Sequence, residues 1–206
     1  MLSELMRRSD VQVAGLLTTV NGDNDRVAMH GVRRSLVEEQ AAAAGLPLTV
    51  VPLPWPCPND AYEGAFLTAV GQARDRGVTH VAFGDLHLQD IRDYREQLLR
   101  GTGVEPLFPL WCGVDGTAAL AAEMVAGGLR AVVTCVDPGQ LDAAYLGRTY
   151  DGAFLRDLPA GVDPCAENGE FHTLCTYAPC FEQPLTVRVG RLLIRGGFHF
   201  AGVEAA

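Results

Sequence analysis

The sequence predicts an α/β protein: a parallel, doubly wound sheet with helices on both faces, followed by a smaller C-terminal α+β domain. Three observations predict it. Apolar runs at residues 11–20, 46–54, 78–83 and 130–136 are short and nearly uninterrupted, as in strands buried on both faces. Segments with helical spacing alternate with them up to about residue 137. Beyond that point short helices and closely spaced apolar stretches take over, which suits antiparallel strands. The boundary therefore falls near residue 137, giving domains 1–137 and 138–206.

Each element follows from local signals. Residues 1–8 read as the last turns of a helix without a start signal, and 11–20 as the first strand. Asn21-Gly22-Asp23-Asn24 is a turn. A helix then runs to Ala44, with Val32 and Leu36 on its apolar stripe and Gly45 as its stop. Strand 46–54 leads into the stiff loop Pro54-Trp55-Pro56-Cys57-Pro58. Asp60 with Glu63 forms a capping box for a helix that Gly77 ends. Strand 78–83 closes on Gly84-Asp85, before a helix at 90–100 and an extended stretch at 104–111. Asp115 caps a helix to Ala126, and 130–136 is one more strand of the same sheet. Short helices at 140–146 and 150–158 precede a polar loop at 167–173. Strands are expected at 174–177, 185–189 and 191–200, with a loose tail at 201–206.

Bulk properties exclude several functions. With 206 residues, 48% hydrophobic and 20% charged, the chain can bury a substantial core. A net charge of −9 argues against general nucleic-acid or anionic-membrane binding. All 16 basic residues are Arg, so Schiff-base chemistry and a phosphate-binding P-loop lysine are excluded for these residues. Of six Cys, Cys165, Cys175 and Cys180 lie near His172, but their spacing fits no common zinc pattern. Free thiols in a reducing, cytoplasmic setting are the expectation. No apolar run reaches the roughly 18 residues of a membrane span, and residues 1–10 do not have the pattern of a signal peptide.

The chemistry concentrates in Pro164-Cys165-Ala166-Glu167-Asn168-Gly169-Glu170-Phe171-His172-Thr173. Two carboxylates, an imidazole, a carboxamide and a hydroxyl fall there around a Gly turn. The run resembles the Gly-Glu-Gly-Gly-Glu-aromatic-Glu-Thr signature of the diphthine–ammonia ligase family. That family belongs to the adenine-nucleotide α-hydrolase-like, Rossmann-like group of PP-loop ATP pyrophosphatases. Glu167, Gly169, Glu170, Phe171 and Thr173 match. Ala166, Asn168 and His172 replace a Gly, a Gly and a Glu.

The resemblance implies an ATP- and Mg2+-dependent, AMP-forming amide ligase. Its substrates would be a small or protein-borne carboxylate and ammonia. Glu167, Glu170 and His172 would be catalytic, with Glu170→Gln expected to lower turnover roughly 10²-fold with the fold intact. Met29, His30, Gly84, Asp85 and Arg95 would contact the nucleotide. Asn168, Gly169, Thr173 and Arg148 would face the acceptor. No metal-ligand set of the chain's own, no nucleic acid and no membrane are expected, and a homodimer is compatible with the resemblance.

The family's opening strand and Ser-Gly-Gly-Lys-Asp-Ser loop have no counterpart in the sequence. A displaced start, a cut chain or a degenerate paralogue would each account for that. With the strand absent, 11–20 and 78–83 are expected not to pair with each other and ATP binding is expected to be weak. Two other readings stand beside the ligase: an inactive nucleotide- or metabolite-binding module, and a metal-dependent hydrolase using His30, Asp85, His87 and His172.

Overall fold

The computed structural model describes residues 1–27 and 30–206; the expected nucleotide contact Met29 lies outside them. The first half contains helix α1 (Leu2–Arg7), strands β1 (Leu16–Asn21) and β2 (Arg26–Val27), helix α2 (Arg34–Ala43), β3 (Leu48–Leu53), α3 (Asn59–Asp75), β4 (His80–Ala82), α4 (Gln89–Leu99) and β5 (Glu105–Leu107). The second half contains α5 (Thr117–Ala126), β6 (Arg130–Val136), β7 (Thr149–Tyr150), α6 (Gly152–Asp157), β8 (Phe171–Tyr177), β9 (Val187–Arg195) and β10 (Phe198–Ala205).

The fold is mixed α/β. The parallel pairs of the first half are β1 with β3 and β4 with β5, in separate sheets, and β2 joins β1 antiparallel; the expected doubly wound sheet is not shown by these ladders. β1 and β4 do not pair with each other, the arrangement anticipated from the sequence. β1 is also less covered than its apolar run suggested: Leu17 is 39% exposed.

β6 corrects a second expectation. It is not a further parallel strand but the centre of an antiparallel sheet, with β8 along one side and β7 and β10 along the other. An apolar run specifies burial on both faces but not the direction of the neighbours. A register shift between Val133 and Cys135 breaks the strict alternation, so that Val133 and Val136 enter the same core with Phe171, Phe154 and Ala121. On the opposite face, Leu174 and Val203 pack with Val32 and with Leu36 of α2. α2 is tied there by hydrogen bonds: Gln40 Nε2 donates to the Cys175 carbonyl at 2.7 Å, and Glu182 N donates to the Ala43 carbonyl at 2.7 Å.

Other local readings also change. Pro58, not Asp60, stands at the N-cap of α3, and Glu63 accepts from the Tyr94 hydroxyl instead of closing a capping box. A 3-10 turn at Val114–Gly116 takes in Asp115 before α5. β8 begins at Phe171, so His172 and Thr173 are strand residues. β9 and β10 turn at Gly196-Gly197, both in the left-handed region (φ 55° and 85°), and β10 extends through Ala205. No helix among the described residues is long and apolar enough to cross a membrane.

Candidate functional site

The 163–170 loop is folded around the side chain of Glu170. Glu170 is 2% exposed, and its carboxylate accepts from Asp163 N (2.9 Å), Asn168 N (3.1 Å) and Asn168 Nδ2 (3.0 Å). Asp163 in turn accepts from Cys165 N at 2.8 Å. Ala166 and Gly169 take left-handed backbone angles (φ 58° and 82°). Glycine suits this conformation, whereas the Cβ of Ala166 makes it costlier. A buried carboxylate that accepts several hydrogen bonds organises a loop at little desolvation loss.

The loop is latched to the carboxyl end of β4. Glu167 Oε1 accepts from Leu86 N at 2.6 Å and, more weakly, from His87 N at 3.5 Å. His87 Nε2 lies 3.1 Å from Asp163 Oδ2, with both side chains almost fully covered. The Leu86 carbonyl accepts from Cys112 N and Gly113 N. Three segments distant in sequence thus meet at the end of a parallel strand, a usual place for ligands in such sheets.

Asp85 and Arg95 face one another beside this latch. Asp85 Oδ2 and Arg95 Nε are 3.8 Å apart, and neither atom has a hydrogen-bond partner among the described residues. Burial raises the Asp85 pKa, with the Arg95 charge opposing it. Arg95 also donates to the Tyr62 hydroxyl at 2.9 Å and lies over the Phe83 ring.

His172 occupies a different environment. Its ring packs on His30, with centroids 4.7 Å apart and planes tilted by 51°. Its Nε2 is buried without a partner among the described residues. Burial, and secondarily His30, push its pKa down to about 4, so it is a neutral base near pH 7. The His30 pKa is lowered as well, by crowding around the ring and against a bond to the Thr173 backbone, although much of the residue remains open to solvent. The pair borders a cleft of about 190 Å³ shared with Thr173, Cys165, Tyr150 and Phe171.

The structure therefore gathers the expected residues into two groups. Glu167 joins Gly84 and Asp85 at the strand end, and His172 and Thr173 join His30 at the cleft. Asn168 and Gly169 shape the loop around Glu170. Arg148 stands apart from both groups, its guanidinium paired with Asp157 at 2.6 Å and lying over Tyr145. Sequence reasoning missed Asp163 and Cys112. Asp163-Pro164 ahead of the polar run was a turn signal for the first; nothing local marked the second.

Several groups that would meet the ATP and magnesium implied by the resemblance already have partners within the chain. The strand-end amides of Leu86 and His87 are taken by Glu167, the chain has no Lys, and Arg95 is held by Asp85 and Tyr62. No three His, Cys, Asp or Glu side chains among the described residues are grouped closely enough to hold a metal ion.

Residues 116–201 match the family model described as the diphthamide synthase C-terminal domain. The match takes in α5 through the first half of β10, and with them the whole 163–173 segment. No curated protein matches the chain significantly.

Proposed function

We propose, from the likeness of residues 116–201 to the diphthamide synthase C-terminal domain, that the chain is a diphthine–ammonia ligase-like protein and serves the amide-forming side of an ATP-dependent, AMP-forming ligase. The observation that carries this reading is the latch from Glu167 to Leu86 N, which sets the signature loop at a strand end. The roles then divide by what each side chain is free to do. Glu170 is committed to holding the loop, and Glu167 to joining it to the β4 turn. His172, whose pKa burial pushes down to about 4, is the one of the three that carries a neutral basic nitrogen near pH 7. When nitrogen attacks an activated carboxyl carbon, a C–N bond forms, the leaving group departs and the nitrogen sheds a proton. Neutral His172 is the base that accepts that proton.

The test is product analysis after incubating the protein with ATP, magnesium, ammonium and a diphthine-bearing acceptor. The expected products are AMP, pyrophosphate and an amide. ADP and phosphate would overturn the reading. A second reading, a nucleotide- or metabolite-binding module without turnover, is favoured by the occupied strand-end amides and the lack of Lys. Unconsumed ATP would support it.

A further inference from the structure

β9 is the outer strand of its sheet, and among the described residues nothing pairs with its free edge. Its sequence, Val-Arg-Val-Gly-Arg-Leu-Leu-Ile-Arg, does not alternate, yet the structure sorts it onto two faces. Gly190 and Arg191 together oppose Gly202 of β10, because the register passes from Leu192 against Ala201 to Val189 against Val203. That bulge shifts the alternation by one residue. Val189, Leu192 and Ile194 consequently share one face, and Arg188, Arg191 and Arg195 share the other. The three apolar side chains are 41%, 48% and 63% exposed. Gly190 is exposed as well, so the backbone itself is open there. We propose that β9 takes up an acidic, extended peptide segment as one more strand, with apolar side chains beside Leu192 and Ile194 and carboxylates on Arg191 and Arg195.

Charge selects the partner. Residues 183–203 hold three Arg and no Asp or Glu, within a chain of net charge −9. None of the three has an ion pair among the described residues. Glu204, the acid opposite Arg188, is held by Arg33 at 3.1 Å. Burial, and then the charges of Arg33 and Arg195, lower the Arg26 pKa, so the positive field extends from β9 onto β2. A second copy of β9 fits less well: full antiparallel overlap sets Arg191 against Arg191, and like charges directly opposite are destabilising. Arg191 and Arg195 lie about 13 Å apart along the strand, with Leu192 and Ile194 between them on the other face. The matching segment therefore reads acidic, apolar, any, apolar, acidic. Its backbone completes the open edge, and each carboxylate pairs with an Arg. Its apolar pair extends the layer in which Ala201 and Val203 pack with Val32 and Leu36. A nucleic-acid strand offers the charge but neither the apolar pair nor amides in strand register. The edge lies outside the signature loop and the His172 cleft, so binding here does not depend on turnover.

The test is fluorescence anisotropy of two labelled peptides of one composition, Ser-Glu-Val-Thr-Val-Glu-Ser and Ser-Val-Glu-Thr-Glu-Val-Ser, titrated with the full chain at low salt. Only the first sets its Glu against Arg191 and Arg195 and its Val against Leu192 and Ile194. It should bind saturably, and the second about tenfold more weakly, a difference of roughly 1.4 kcal/mol. Amide exchange at residues 191–195 should slow in the complex, which contact through side chains alone does not produce. Arg191→Glu and Arg195→Glu, checked for folding by circular dichroism, should each weaken the first peptide about tenfold. Should neither variant fold, the two peptides on the unaltered chain decide. Equal binding of the two peptides, no saturable binding up to about 1 mM, or tighter binding of a short oligothymidylate overturns the proposal. A dimer that protects the same amides without peptide also overturns it, by making a second copy the occupant.

Discussion

Replacing Glu170 with Gln changes one oxygen into an NH2 and removes the charge at the centre of the 163–170 loop. The carboxylate accepts three hydrogen bonds, two at Oε1 and one at Oε2. Gln can keep an oxygen toward Asp163 N and Asn168 Nδ2, but its NH2 then faces the Asn168 amide, donor against donor. Losing that charge-assisted bond costs about 1.5–3 kcal/mol, and the other two weaken to neutral strength. The neutral amide recovers part of this through a smaller desolvation penalty, leaving a net loss of about 2–3 kcal/mol. With a urea slope near 2 kcal/mol per molar, the unfolding midpoint should fall by about 1–1.5 M at unchanged slope. Asn168→Ala removes only the side-chain bond and should cost about 1 kcal/mol. Urea titrations followed by circular dichroism measure both. A Glu170→Gln midpoint within about 0.2 M of wild type, or a larger loss for Asn168→Ala, would refute the organising role. The substitution thus tests stability before turnover, where the sequence suggested an effect on turnover with the fold intact.

Two further outcomes follow from the same geometry. Glu167→Gln should loosen the latch, so amide exchange at Leu86 should accelerate roughly 10–100-fold, as expected for loss of a charge-assisted bond; unchanged exchange there would remove the latch from the account. Stability should also fall on acidification through His172, whose pKa drops from 6.5 unfolded to about 4 folded. Between those values the unfolded chain binds more protons, so the contribution is complete above about pH 6.5 and lost toward pH 4, at most about 3 kcal/mol. His172→Phe should flatten that part of the slope, leaving the share from His30, which runs in the same direction. Equal pH slopes for wild type and variant in urea titrations would exclude His172 as the source.

The sequence by itself determined the elements whose signals are local. Strand 130–136 is found as β6 within the bounds its apolar run marked, β3 lies inside the run 46–54, and the helix ended by Gly77 is α3. The signature residues were legible too, because their chemical types are dense over a few positions. The tertiary structure decided what those residues face. β6 is antiparallel because β8 and β10 flank it, and an apolar run is the same whichever way its neighbours point. Thr173 and His172 left the expected loop because β8 extends back to pair Phe171 with Val136. Glu167 and Glu170 look alike in sequence, yet one accepts from Leu86 across the molecule and the other from its own loop. His172 keeps a buried ring nitrogen without a partner among the described residues, since its surroundings come from His30 and the buried side of β8. Hydrogen-bond partners and burial depend on atoms distant along the chain, and no local pattern carries them.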